Sequence, residues 1–136
     1  MQDMNSLQEL FAAASRAREN AYAPYSGFKV GAAVRSESGK IYAGCNVENI
    51  SYPCGTCAEA GAIAAMAAEG DRKIREIAIV AGGSCLITPC GACRQRIKEF
   101  GGPDTLIHLA GPQGIEKSVR LADLLPLAFD ETELKK

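Results

Sequence analysis

The sequence predicts an α/β fold: a single mixed β-sheet covered by helices on both faces, in α/β/α layers. Three observations lead there. Apolar residues recur at three- and four-residue steps near the N-terminus, short apolar runs bounded by glycine or proline alternate with helical patterns afterwards, and no linker, repeat or low-complexity stretch divides the chain. A length of 136 residues fits one domain, 1–136, able to bury roughly two thirds of its unfolded surface.

From Asp3 to about Ala21, residues Leu7, Leu10, Phe11, Ala14 and Ala17 mark the apolar face of a helix. Ala23-Pro24-Tyr25-Ser26-Gly27 ends it. Phe28 to Val34 reads as a strand that turns at Glu37-Ser38-Gly39-Lys40 into a second, Ile41 to Ala43, making a hairpin. Gly44 to Thr56 is a polar loop with little to stabilise it on its own, of a length that often carries function. Cys57 to about Glu69 is a helix whose alanines and Gly61 leave almost no bulky face, so neighbouring backbones can approach it closely.

Ile74 to Ala81 suits a central strand, ended by Gly82-Gly83. Cys90 to about Phe100 is a third helix, stopped by Gly101-Gly102-Pro103. Thr105 to Leu109 is a further strand and Gln113 to Val119 another at the edge. Leu121 to Leu125 is a short helix halted by Pro126, and a polar tail runs from about residue 130.

With 47% hydrophobic residues, 23% charged and a net charge of -1, the chain has the balance of a soluble globular protein. It carries no electrostatic footprint for nucleic acid. Met1 to Asn20 contains acidic residues and no continuous apolar run, so neither a signal peptide nor a membrane span is expected there. The expected address is the cytoplasm, where six cysteines stay reduced.

The chemistry concentrates in two short motifs, Cys57-Ala58-Glu59 and Pro89-Cys90-Gly91-Ala92-Cys93. Two cysteines separated by two residues at a turn opening a helix can point both sulfurs at one metal, and Cys57 can supply a third. Three protein ligands leave a tetrahedral Zn²⁺ one open position, and Glu59 can move protons beside it. Zinc nucleobase deaminases carry H-x-E or its cysteine variant followed by P-C-x-x-C. Against this stand two plainer readings: a closed structural site, with Cys54 as the fourth ligand, or reduced thiols binding nothing. Helix N-termini favour thiolate and help assemble the site.

These residues resemble the small, homo-oligomeric zinc cytidine deaminases of pyrimidine salvage. The resemblance runs from about Tyr22 to Phe129, through Tyr25-Ser26-Gly27-Phe28-Lys29-Val30-Gly31-Ala32-Ala33, Gly44-Cys45-Asn46-Val47-Glu48-Asn49, the Cys57 motif and Pro89 to Gln95. It implies Zn²⁺ on Cys57, Cys90 and Cys93, with Glu59 as proton shuttle. It further implies that Phe28 stacks near the pyrimidine, that Asn46 and Glu48 hydrogen-bond the ribose hydroxyls, and that main-chain groups around Ala58 and Glu59 read the base. Tyr52 and Phe129 correspond to aromatic residues that neighbouring subunits of a tetramer contribute. The implied partner is a small nucleoside, cytidine or deoxycytidine. A cytosine-containing antibiotic of the aminoacylnucleoside (blasticidin) type and a non-catalytic zinc-stabilised module are the alternatives.

Two positions depart from the family pattern. Ala60 stands where an arginine usually donates to the thiolates, and Asp130 follows Phe129 where glycine is common. Three thiolates on Zn²⁺ need compensating charge, and the residue expected to supply it is Arg94, beside Cys93. His108, in a strand pattern away from every motif, is expected to be a packed or edge residue without a role in the site.

Overall fold

The structure, a computed structural model, describes residues 4–83 and 86–134. Its helices are α1 (Met4–Glu19), α2 (Ala58–Ala68), α3 (Gly91–Phe100) and α4 (Leu121–Leu124); its strands are β1 (Val30–Ser36), β2 (Ile41–Cys45), β3 (Ile74–Ala81), β4 (Leu106–Gly111) and β5 (Gly114–Arg120). The strands form one sheet in the order β2-β1-β3-β4-β5. Only β3 and β4 are parallel, joined through α3, so the sheet is mixed as expected.

Alternation along the strands divides the core between two faces. Ala33, Ala78, Val80 and Ala110 meet Leu10, Ala13 and Ala14 of α1. Ala32, Val34, Ile77, Ile79, Ile107 and Leu109 meet Ala58, Ala62, Ile63 and Met66 of α2, Ile97 of α3 and Leu121 of α4. Because β3 is covered on both faces, it reads in sequence as a nearly continuous apolar run rather than an alternating one.

The close approach expected of α2 occurs at Gly44 on β2. A Cβ there would lie 2.7 Å from the carbonyl carbon of Gly61, 2.8 Å from the Ala58 carbonyl oxygen, and closer still to the Ala62 nitrogen. Glycine at this point lets the N-terminal turn of α2 rest directly on the strand.

Three local findings differ from the sequence reading. The first strand starts at Val30, not Phe28, because side chains intercept the preceding backbone: Phe28 N–H donates to Ser26 Oγ (3.0 Å) and its carbonyl accepts from Asn46 Nδ2 (2.8 Å). The second strand runs on to Cys45. The loop after it is pinned from outside: Val47 exchanges backbone hydrogen bonds with Thr56 at 3.0 and 2.9 Å, and Tyr22 bridges to it from the end of α1.

His108 is packed, as expected. It lies in a buried polar chain in which Nε2 meets Glu76 Oε1 (2.8 Å) and Nδ1 meets Ser118 Oγ (2.6 Å). Arg35 Nε donates to the other Glu76 oxygen at 3.0 Å, and its Nη2 donates to the Ser6 carbonyl of α1 (2.8 Å). The network ties β1, β3, β4 and β5 to α1.

Candidate active site

Two helix starts create the site. Cys57 is the N-cap residue of α2 (φ -80°, ψ 157°) and Cys90 that of α3 (φ -67°, ψ 167°), each extended while the next residue enters the helix. Cys93 follows in the first turn of α3 and is fully buried. The three sulfurs all lie within 4.8 Å of one another. A tetrahedral zinc with Zn–S bonds of about 2.3 Å places its sulfurs about 3.8 Å apart, so zinc fits this donor set with one position open.

Cys54 stands outside the cluster. It is exposed and its sulfur bonds Ser51 Oγ at 3.5 Å. The four-cysteine closed site therefore has no fourth sulfur in place among the described residues. Cys45 ends β2 as a free thiol, and Cys85 lies outside the described residues.

The thiols differ by environment. Backbone N–H groups of Cys93 and Ala92 favour the Cys90 thiolate and pull its pKa down, whereas burial pushes Cys57 and Cys93 up, Cys93 the more strongly. Glu59 sits one residue into α2 and is buried; that burial raises its carboxyl pKa, against the opposing pull of its own backbone N–H, the Cys93 thiol and Arg96. Anions crowded here repel one another, and a dication relieves that repulsion.

A cleft of about 420 Å³ opens onto this cluster, lined by Cys57, Ala58, Glu59 and Cys90 on one side and by Asn46, Glu48 and Tyr52 on another. Val30, Thr56, Ile79, Ile87 and Thr88 complete much of its wall; Val30 lies in the Tyr25 to Ala33 stretch and Thr88 directly before Pro89, neither with a role assigned to it, and Thr56, Ile79 and Ile87 lie outside every motif. Asn46 Oδ1 accepts from Val30 N–H (2.9 Å) while its Nδ2 holds the Phe28 carbonyl. Glu48 Oε1 accepts from the N–H groups of Tyr25 (2.9 Å) and Ser26 (3.1 Å), and its Oε2 from Ser26 Oγ. These donors hold the Glu48 carboxyl below its usual pKa. Both residues thus brace the segment that carries Phe28.

Phe28 is 39% exposed, so it is not a core residue, and Tyr52 (74%) and Phe129 (66%) stand further out. Gln95 Nε2 of α3 holds the Phe129 carbonyl at 2.7 Å. Tyr52 lines the cleft, whereas Phe28 and Phe129 are not among its wall residues.

The expectation for Arg94 is overturned. Its guanidinium donates to the Pro89 carbonyl (2.8 Å), the Leu124 carbonyl (2.9 Å) and Thr88 Oγ1 (3.1 Å), bracing the turn before α3. Arg96 reaches the cluster instead, with Nη1 3.5 Å from Cys93 Sγ. Sequence adjacency favoured Arg94, but on a helix a residue three positions on shares the face.

The model of the cytidine and deoxycytidylate deaminase zinc-binding region matches residues 4–109, which include all three clustered cysteines and Glu59. The chain belongs to this deaminase family. It is 41% identical over 128 residues to the cytidine deaminase of Sporosarcina psychrophila, covering 94% of each chain. It is also 41% identical over 127 residues to that of Halalkalibacterium halodurans, covering 93% of this chain and 96% of the relative. The crystal structure of cytidine deaminase from Burkholderia pseudomallei has a TM-score of 0.85 at 47% identity, covering 90% of this chain and 98% of that one. That of the Mycobacterium tuberculosis enzyme has a TM-score of 0.78 at 41% identity, covering 90% and 96%. Deaminases of this family bind zinc, and among the described residues the Cys57, Cys90 and Cys93 cluster is the group that can hold it.

Proposed function

We propose that this chain is a zinc-dependent cytidine deaminase, hydrolysing cytidine and deoxycytidine to uridine and deoxyuridine in cytoplasmic pyrimidine salvage. The observation that carries the reading is a buried carboxyl, Glu59, at the head of the helix capped by Cys57, facing the same cleft as the sulfur cluster.

Held by Cys57, Cys90 and Cys93, zinc would supply the Lewis acidity that makes water a nucleophile near neutral pH. Glu59 handles the protons. It accepts one from the attacking water, gives it to N3 of cytosine as oxygen bonds to C4, and carries a second to the departing amine. Water enters, ammonia leaves, and the uracil carbonyl remains. Burial of Glu59 suits this work, because it raises the carboxyl pKa above its ordinary value and so brings the protonated form closer to reach.

Asn46 and Glu48 line the cleft and meet the ribose hydroxyls. Glu48 has a free acceptor position for this, since a carboxylate offers about four and Tyr25 and Ser26 fill three. Phe28 stacks near the pyrimidine, and main-chain groups around Ala58 read its amide edge. The exposed Tyr52 and Phe129, with Ile50 and Leu127 also exposed, support a homotetramer in which neighbouring subunits complete each pocket.

Loss of the 4-amino group changes ultraviolet absorbance, so cytidine turnover by the zinc-loaded protein tests the activity. Unchanged cytidine overturns it. Light scattering at micromolar concentration tests the assembly; a monomeric mass contradicts the shared pocket.

A further inference from the structure

Resting on the zinc reading above, we propose that Arg96 is a positioning residue of the metal centre, whose guanidinium donates to the Cys93 sulfur and offsets the negative charge of the thiolate cluster.

Three thiolates around a dication carry a net -1, and Glu59 adds a carboxyl beside them. Such a cluster needs donors from the protein wherever water does not reach. Cys90 has them, because it caps α3 and draws on the N–H groups of Ala92 and Cys93. Cys57 is the N-cap residue of α2, at the positive end of that helix. Cys93 is placed differently: it is inside the first turn of α3 and wholly buried. The donor that reaches it is a side chain, Nη1 of Arg96, at 3.5 Å.

The geometry has a simple origin. Arg96 lies three residues beyond Cys93 on α3, so the two share a helix face, and long helical side chains lean toward the N-terminus. The guanidinium therefore folds back over the turn that holds the sulfur while its own residue stays at the surface. Arg94 is committed elsewhere by three hydrogen bonds. Among the described residues, Arg96 is the arginine whose side chain donates to a sulfur of the cluster.

Residues that hydrogen-bond metal ligands typically change metal affinity by about 10–100-fold when replaced. The partly exposed position of Arg96 puts the expected loss at the lower end. The test compares the 136-residue chain with its Arg96→Lys, Arg96→Gln and Arg96→Glu variants. Zinc affinity is read by competition with a chelator, and the sulfur-to-metal charge-transfer band is read after cobalt(II) replaces zinc.

Arg96→Gln should weaken zinc by about tenfold and Arg96→Glu by more, while Arg96→Lys stays within about threefold of the parent. The band should move to lower energy in the Gln and Glu variants, since a thiolate without its donor gives up electron density more readily. Equal zinc affinity in the parent and Arg96→Gln, with an unmoved band, overturns the proposal. If Arg96→Gln does not fold, Lys and Glu make the same comparison, and equal affinities there overturn it too. A parent protein that binds no zinc overturns the zinc reading instead.

Discussion

Gly44→Ala tests how the fold sets the spacing of the site. The added methyl would meet three backbone atoms of α2: the Ala62 nitrogen, the Gly61 carbonyl carbon at 2.7 Å and the Ala58 carbonyl oxygen at 2.8 Å. Helix backbone cannot rotate away as a side chain can. The Ala62 nitrogen is the nearest of the three, so restoring ordinary contact at about 3.4 Å requires α2 to retreat from β2 by about 1 Å. Overpacking of this kind costs about 1–3 kcal/mol, and a purely backbone clash belongs near the upper end. At about 4 °C per kcal/mol for a chain of this size, Tm should fall by about 8–12 °C.

The same shift displaces Cys57 and Glu59 relative to Cys90 and Cys93. Metal sites tolerate about 0.2 Å in their ligand distances, so zinc affinity should fall together with stability. Thermal unfolding followed by circular dichroism, with and without zinc, reads both effects. A variant melting within about 2 °C of the parent, with undiminished zinc affinity, would refute the claim that this glycine sets the spacing between the two helix starts.

Other perturbations reach different parts of the molecule. Glu76→Gln keeps shape but removes the charge between Arg35 and His108 in the buried network; unfolding free energy should fall by about 3 kcal/mol in denaturant titration, and an unchanged midpoint would contradict that role. Asp71 accepts hydrogen bonds from Tyr42, Ser36 and Ser38, which hold its pKa below 3.8. Its depressed pKa means that the unfolded chain takes up the proton first. The stabilisation is therefore full above pH 3.8 and lost as pH falls through the native value, so Asp71→Asn should flatten the acid limb of the stability profile. Tyr42, raised to about 12 by the same contact, has the opposite sign: its contribution is present below pH 10 and fades as pH rises toward 12, a fade that Tyr42→Phe should abolish.

Much of the site was legible because its chemistry is local. C-x-E and P-C-x-x-C each occupy one helix start, where chain geometry alone brings the residues together, and Gly101-Gly102-Pro103 marks the end of α3 as its composition predicts. The sheet was legible for a related reason: β3, covered on both faces, has to be a continuous apolar run. What escaped depends on where long or polar side chains go in three dimensions. Nothing in the sequence around Phe28 tells that Ser26 and Asn46 take its backbone groups and delay the strand to Val30. Likewise, Arg94 and Arg96 differ only in which way α3 turns them, and Thr56 and Thr88 enter the cleft wall only once two loops meet.

The central claim is that Glu59 moves the protons of a hydrolysis performed at the Cys57, Cys90 and Cys93 cluster. The most direct test compares cytidine turnover by the parent and Glu59→Gln proteins, each verified to hold one zinc per chain. The parent should form uridine, while the variant keeps its metal and loses about 10²–10⁴-fold or more in rate, the worth of general acid–base catalysis. A variant that binds zinc and turns over cytidine at nearly the parent rate would contradict it.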